Sequence, residues 1–530
     1  MKQKNMKRLM KGAVILSLAT LSAKILSALY KIPLQNWTGD TGFYVYQQAY
    51  PLYGMAAALA LNGLPLFVSS CIAEESSERG QAAVFKRLFY ILLIPFTLLG
   101  MLLYIYARPL AGVMGDPQLS PLIQSIALIY PLTAVIGSLR GFFQGQMNMV
   151  PTAVSQVTEQ LVRVSLIILA AFQFTQSGQS VYQMGRHAYQ GTFIAAAVSS
   201  LILLFYALAY RKEQGRLIKK DFKGQLPSPK KLYQRFLHEG LLLSAFASLF
   251  ILLQLIDSFT VLNQLQEAGL SLAQSMVQKG VYDRAQPIAQ LGLVVSSGLT
   301  ATMLPSLSQP RLQKRPDHLK LEARSIIRLV VVFSGAASVG LMALMPQLNR
   351  FLFASEDQND VLAIYMLAVF LMSILLAFQN ILHLQKKHPV IFRGLGFTLL
   401  TKLVLNKLCI PHFQTMGASV ATVVSLAAVV SYFAHHLRGI LFQRNQVAFL
   451  KGYLSSLLVL ALFVRILLNL LDGWWGEGRG VTLAAILLAV AGGAAVFLRM
   501  IQVTKVLSIR EWMMLPMGEH LLRGKKNGKN

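Results

Sequence analysis

Ionisable side chains set inside long apolar runs are the residues of this 530-residue sequence that could do chemistry. A charge at the centre of a bilayer-spanning helix costs about 2.5–3.5 kcal/mol, so such groups usually face a protein or water interior. Ser17, Lys24 and Lys31 recur at seven-residue spacing, nearly two helical turns, and share one face. Two ammonium groups on one face form a cradle for an anionic head group. Lys31 can equally snorkel to the interface, whereas Lys24 sits nearer mid-membrane and favours the cavity reading. Gln156, Glu159, Gln160 and Arg163 fall at i, i+3, i+4 and i+7, a polar stripe on an apolar helix. Glu159 and Arg163 have the spacing and order of an i,i+4 salt bridge; a buried structural pair between helices is the plainer alternative. Either way, this face cannot point at lipid.

Further along, Gln254, Asp257 and Ser258 lie at i, i+3 and i+4. Asp257 is suited to coupling transport to a proton or sodium ion, and equally to a structural hydrogen bond across helices. Tyr282, Asp283, Arg284 and Gln286 open another span near its outer edge, as a gate or as an interfacial ion pair. Thr398, Lys402 and Asn406 share a face at four-residue steps, with Lys407 off it. Arg465 stands alone on an apolar helix, cavity-facing or snorkelling.

Nothing in the sequence reads as catalysis. The nine histidines fall mostly in loops or at span ends, as His383, His388, His435 and His436 do. No His–acid–nucleophile grouping, metal-ligand spacing or phosphate-cradling glycine loop with a lysine is present. Cys71 and Cys409 lie far apart in apolar stretches and make neither a disulfide framework nor a metal site. The expectation is therefore no enzyme activity and no cofactor.

The elements that must position these side chains are transmembrane helices. The chain is 55% hydrophobic and only 13% charged, about half the charged fraction of a soluble protein. Fourteen spans are expected at about 12–32, 44–73, 88–107, 119–142, 150–173, 187–210, 237–262, 281–305, 326–346, 361–383, 389–410, 416–436, 453–471 and 480–500. The first has the basic start of a secretory signal, but it carries Lys24 and no convincing small-residue cleavage site, so it reads as a retained helix. The net charge of +28 would suggest nucleic acid in a soluble protein. Here it follows topology. With both termini cytoplasmic, most Lys and Arg fall in inside segments, Arg140 among them. The outside loops hold only Arg108, Arg186, Lys279, Arg350 and Arg479. No outside loop is long enough to fold into a catalytic domain. The basic loop 211–236 divides an N-terminal lobe (1–210) from a C-terminal lobe (237–436), followed by two further helices (437–500) and a basic tail (501–530).

Several stretches then resemble a known family. Arg140-Gly-Phe-Phe-Gln-Gly, Met149-Val-Pro151-Thr-Ala and Ser155-Gln-Val-Thr-Glu159-Gln-Leu-Val-Arg163 are similar to the polysaccharide-export and stage V sporulation protein B branch of the multidrug/oligosaccharidyl-lipid/polysaccharide (MOP) exporter superfamily. So are Lys24-Ile-Leu, Lys31-Ile-Pro33-Leu, Gly39-Asp-Thr-Gly42, Tyr50-Pro-Leu-Tyr53, Gly280-Val-Tyr-Asp-Arg284-Ala, and the Lys402…Asn406 helix leading to Pro411 and Gly417-Ala-Ser. The likeness runs from about residue 10 to 435. It implies two six-helix lobes in a V around a central cavity, with two extra C-terminal helices. It also implies substrates built on polyprenyl pyrophosphate, flipped between leaflets by alternating access, with lipid II as the best-known cargo of the MurJ-like members. Those relatives carry arginines and an aspartate in the first two helices. Lys24 and Lys31 match that basic face, and helix 2 offers no clear basic partner.

The expectation is thus a multi-pass protein of the bacterial cytoplasmic membrane that moves a lipid-linked saccharide. Lys24, Lys31, Arg163, Arg284 and Lys402, with Glu159, Gln160 and Asn406, would line the cavity, and Asp257 and Asp283 would couple an ion or form a gate. Membrane potential or an ion gradient would drive transport. Cell-wall synthesis enzymes are possible partners and nucleic acid is not. A cation-coupled drug exporter of the same superfamily would need acids to dominate the cavity, and bases dominate. A membrane-embedded transferase would need an acid or histidine beside a large outer loop. A scaffold that recruits synthesis enzymes would have no need of polar stripes inside its spans.

Overall fold

A computed structural model describes residues 16, 19–23, 25–75, 77–215, 227–294, 316–441, 446–475 and 478–515. Lys24 lies outside the described residues. Among those described there is no β-strand, and eleven helices are long and apolar enough to cross a bilayer. We number the main helices α1 (Ala19–Ala73), α2 (Glu78–Ile105), α3 (Pro117–Gly145), α4 (Val150–Ser177), α5 (Val181–Gly215), α6 (Leu241–Glu267), α7 (Leu272–Asp283), α8 (Pro316–Ala343), α9 (Asn359–Leu384), α10 (His388–His436), α11 (Gln446–Trp475) and α12 (Arg479–Val503). All but the short α7 are candidate spans. Large apolar side chains stand exposed on α2, α11 and α12, Ile105 at 70% and Leu458 at 61% among them. Water would not tolerate such continuous faces, and lipid does. The chain is an all-α polytopic membrane protein.

Two of the eleven helices are too long for one pass. α1 has 55 residues, about 80 Å at 1.5 Å per residue against a hydrocarbon core of about 30 Å. It breaks at Gly39, whose φ of 66° and ψ of −174° suit only a residue without a Cβ. α10 has 49 residues and breaks at Gln414 (φ 51°, ψ −133°), three residues after Pro411. These breaks fall where the sequence places the turns between its first two spans and between the spans 389–410 and 416–436. The span expected at 281–305 is described only as far as 294, where it is helical.

Contacts divide the chain into two compact units, Met1–Asp283 and Arg284–Asn530. In the first unit α3 presents Gly137, Gly141 and Gly145 every fourth residue. They lie against Leu64, Val68 and Ile72 at the same spacing on α1. A Cβ added to each glycine would stand 2.7, 2.5 and 2.7 Å from the facing Cβ, so only glycine permits this approach. Beside it α1 forms a π-turn over Leu59–Gly63, just before Pro65. Proline has no N–H to donate, and the wider turn absorbs the lost helical bond. Gly280 of α7 rests on the backbone of Asp40, whose carbonyl oxygen would lie 2.2 Å from an added Cβ.

The same packing corrects two positions that the sequence assigns to loops. Arg140 is buried within α3. Its Nη2 donates to Glu159 Oε2 (2.8 Å) and Ser199 Oγ (3.2 Å), its Nε to Ser155 Oγ (3.1 Å), and its Nη1 to the Ala60 carbonyl of the π-turn (3.5 Å). Lys279 is buried in α7 and paired with Asp283 at 2.8 Å. Both stand beside residues of opposite charge, which a charge count along the chain does not register.

In the second unit α8 packs on α9, α9 on α10, and α11 on both α8 and α12. Tyr453 of α11 donates to the Val331 carbonyl of α8 (2.7 Å). Gly492 and Gly493 of α12 let Phe463, Val464 and Leu460 of α11 approach closely. Gly417 lies 2.5 Å, measured from an ideal Cβ, from the Cys409 carbonyl, closing the bend at Gln414.

Candidate functional site: a buried basic and aromatic cluster

Within the first unit, Lys31 and Arg163 are both buried, at 0% and 1% exposure. The Lys31 ammonium stands 4.1 Å from the centroid of the Tyr50 ring and makes no hydrogen bond among the described residues. The Arg163 guanidinium lies 5.2 Å over each of two rings, Tyr30 and Tyr53. Its Nη2 donates to Gln160 Oε1 (2.6 Å) and Ser27 Oγ (3.2 Å), while its Nε is buried without a partner. Tyr30 and Tyr46 share a hydroxyl hydrogen bond of 2.8 Å, and Tyr46 stacks on Tyr189 at 5.0 Å. The result is two cations in a tyrosine cage with no carboxylate in ion-pair contact among the described residues.

Helix geometry puts these groups together. Tyr46, Tyr50 and Tyr53 recur at i, i+4 and i+7 after the break at Gly39, so they share a face of α1. α4 opens with Pro151 in its first turn and ends at Gly178 in the left-handed conformation. Its buried stripe, Gln156, Glu159, Gln160 and Arg163, follows the expected spacing. The pairing within the stripe differs from the expectation. Glu159 reaches Arg140 of α3 at 2.8 Å, not Arg163. Arg140 takes Glu159 together with Ser155, Ser199 and the Ala60 carbonyl, and Arg163 lies over the tyrosines.

An acidic and tyrosine-rich group occupies another part of the same unit. Asp283 is paired with Lys279, and Tyr282 donates to Asp257 Oδ2 (3.0 Å). Both carboxylates are buried. Asp116, between α2 and α3, accepts from Tyr182 (2.9 Å) and Tyr44 (3.3 Å), and burial pushes its carboxyl above the usual range.

The remaining expected site residues belong to the second unit. Lys402 donates to the Ala418 carbonyl (3.2 Å) and to Thr422 Oγ1 (2.5 Å), tying the two limbs of α10 together. Thr398 and Asn406 are buried on the same face, as their spacing requires. Arg284 donates to Asn349 Oδ1 (3.2 Å) and lies over Phe353 at 5.5 Å. Arg465 is exposed on α11. Among the described residues no group of three or more His, Cys, Asp or Glu is placed to hold a metal.

Residues 9–310, more than half of the chain, match the polysaccharide biosynthesis protein family. The chain belongs to that family. Its relatives include the uncharacterized membrane protein YabM of Bacillus subtilis, 31% identical over 96% of this chain and 95% of that protein. Stage V sporulation protein B of the same organism is 26% identical over 79% of this chain and 82% of its own length. Lipid II flippase MurJ, again of Bacillus subtilis, is 24% identical over 93% and 94%. A solved structure of lipid II flippase MurJ in an inward closed conformation superposes with a TM-score of 0.66 at 14% identity, covering 92% of this chain and 98% of that one. The family member described here is thus a multi-pass protein of the bacterial plasma membrane with a MurJ-like fold.

Proposed function

We propose that this protein flips a polyprenyl-pyrophosphate-linked saccharide, lipid II, from the inner to the outer leaflet by alternating access, and that it is a transporter and not an enzyme. The observation that carries the reading is the pair of buried cations, Lys31 and Arg163, without a carboxylate in ion-pair contact among the described residues. A buried unpaired charge is costly. Its retention makes sense where an anion arrives to complete it, and pyrophosphate supplies the acceptors. The tyrosine faces offset part of the cost while the site is empty and leave the N–H groups free to donate. Lys24, seven residues before Lys31 in the sequence, joins them in this proposal. Arg284 and Lys402 contribute positive potential, while Asp257 and Asp283 serve ion coupling or gating. With the inside negative, return of the empty cationic site is favoured by about 2.3 kcal/mol per charge per 100 mV.

The relatives named for lipid II flipping support the cargo. The predominance of bases over acids in the cluster speaks against a cationic drug as cargo. Reconstitution of the purified chain in liposomes with fluorescent lipid II tests this directly. The Lys31→Gln/Arg163→Gln double variant should lose translocation while remaining monodisperse and helical. Full activity of that variant would overturn the assignment of the site.

A further inference from the structure

Arg465 is a charge this mechanism does not use. It lies in α11, a helix whose membrane-spanning part runs over Val447–Leu471. One face of α11 is buried through Tyr453, Ser456, Leu460, Val464 and Leu468. The opposite face exposes Leu450, Leu454, Leu458, Leu462, Ile466 and Leu470, all above 50%. At 100° per residue, Arg465 projects within about 20° of Leu454 and Leu458, in the middle of that stripe. It is exposed, and it has no hydrogen bond or ion pair among the described residues. Fourteen residues separate it from Lys451 and six from the end of the apolar span at Leu471, about 21 and 9 Å along the axis. Its guanidinium is therefore a cation set inside an apolar span, less than two turns from its end, and turned away from the buried face.

Such a placement is costly unless the guanidinium reaches the interface or meets an anion. Two kinds of anion exist in a bilayer: a carboxylate on a partner helix and a lipid phosphate. Helix partners approach through small residues. The Arg465 face carries Leu and Ile, and the close-packing glycines of this hairpin, Gly492 and Gly493, are already used against α11 itself. Bulky side chains at four-residue steps fit acyl chains instead. We propose that Arg465 binds the phosphate of an anionic phospholipid whose chains lie along this leucine stripe, a lipid site on the membrane face that is separate from the cargo cluster. A guanidinium matches phosphate oxygens bidentately, and the bilayer thins locally to bring the phosphate within reach. This site does not depend on the flippase reading.

The test uses the full chain with a benzoylphenylalanine photo-crosslinker in place of the exposed Asn469, one turn from Arg465. In vesicles of phosphatidylcholine with about 20% phosphatidylglycerol, irradiation should attach phosphatidylglycerol. Arg465→Leu should cut that adduct by about fivefold, the weight of one basic residue at a membrane surface. Arg465→Lys should keep most of it. Arg465→Leu removes no packed contact, so its fold is checked by helicity and gel filtration and should be unchanged. Equal adduct in Arg465→Leu overturns the proposal. So does an Arg465-dependent adduct to another membrane protein in native membranes, which would identify a partner helix instead.

Discussion

Two arginines on neighbouring helices illustrate how differently a buried cation can be used. Arg140 is satisfied by Glu159, Ser155, Ser199 and a free carbonyl of α1, and binds the first unit together. Arg163 is held by ring faces, an amide and a hydroxyl, and keeps a donor to spare. Substitution should separate the two roles. Arg140→Gln leaves Glu159 buried and unpaired, at a cost of about 3–5 kcal/mol. Thermal unfolding of the purified variant should show that loss, and the fraction that survives should bind cargo normally. Arg163→Gln should leave unfolding nearly unchanged and weaken cargo binding about 10–100-fold, since a hydrogen bond to a charged group contributes about 1.5–3 kcal/mol. Tyr50→Phe keeps the face under Lys31 and should retain transport. Tyr50→Leu removes it and should lower transport through lost cation–π attraction of about 0.5–2 kcal/mol. If Tyr50→Phe and Tyr50→Leu behave alike in the liposome assay, the ring face has no such role.

At the scale of elements, glycines and breaks decide where those side chains stand. Gly141→Leu would drive a side chain into Val68 and the Pro65 carbonyl. Overpacking of this kind costs about 1–3 kcal/mol, so the variant should show reduced yield and a lower unfolding temperature. The ion pair between Arg235 and Glu74, joined at 2.6 Å by two hydrogen bonds, links the end of α1 to the short helix Pro229–Arg235. The Arg235 guanidinium holds the Glu74 carboxyl below the usual range. Its small stabilising effect is therefore present above the ordinary carboxyl pKa and is lost as pH falls through the lowered value. Glu74→Gln should flatten that part of the acid dependence of unfolding, and an unchanged profile would show the pair to be inert. The polar stripe of α4 and the shared face of Thr398, Lys402 and Asn406 were legible in the sequence, because helical periodicity fixes which residues share a face. The partners were not. Glu159 had a local candidate in Arg163 and found a distant one in Arg140, a choice that only the packing of α3 on α4 and α1 settles. The tyrosine cage left a readable trace in the spacing of Tyr46, Tyr50 and Tyr53, but ordinary core packing produces the same spacing.

For the molecule as a whole, hydropathy and the distribution of basic residues established a polytopic helical membrane protein, since a bilayer constrains length and charge more strictly than water does. The turns at Gly39 and Gln414 fell inside the intervals between expected spans. Arg140 and Lys279 entered the charge count as loop residues because their opposite charges lie on other helices or a turn away. Family membership and the MurJ-like fold support the proposed transporter class, while the cargo rests on the cationic cluster and on a relative's named substrate.

The most direct measurement of that cargo is the sidedness of lipid II in cells depleted of this protein and of any redundant flippase. An enzyme added outside, cleaving only outward-facing lipid II, reports the protected inner pool. The account expects that pool to rise within about one generation, and to be restored by the native chain but not by Lys31→Gln/Arg163→Gln. Unchanged sidedness would contradict lipid II as the cargo, and restoration by the double variant would contradict the cationic cluster as its binding site.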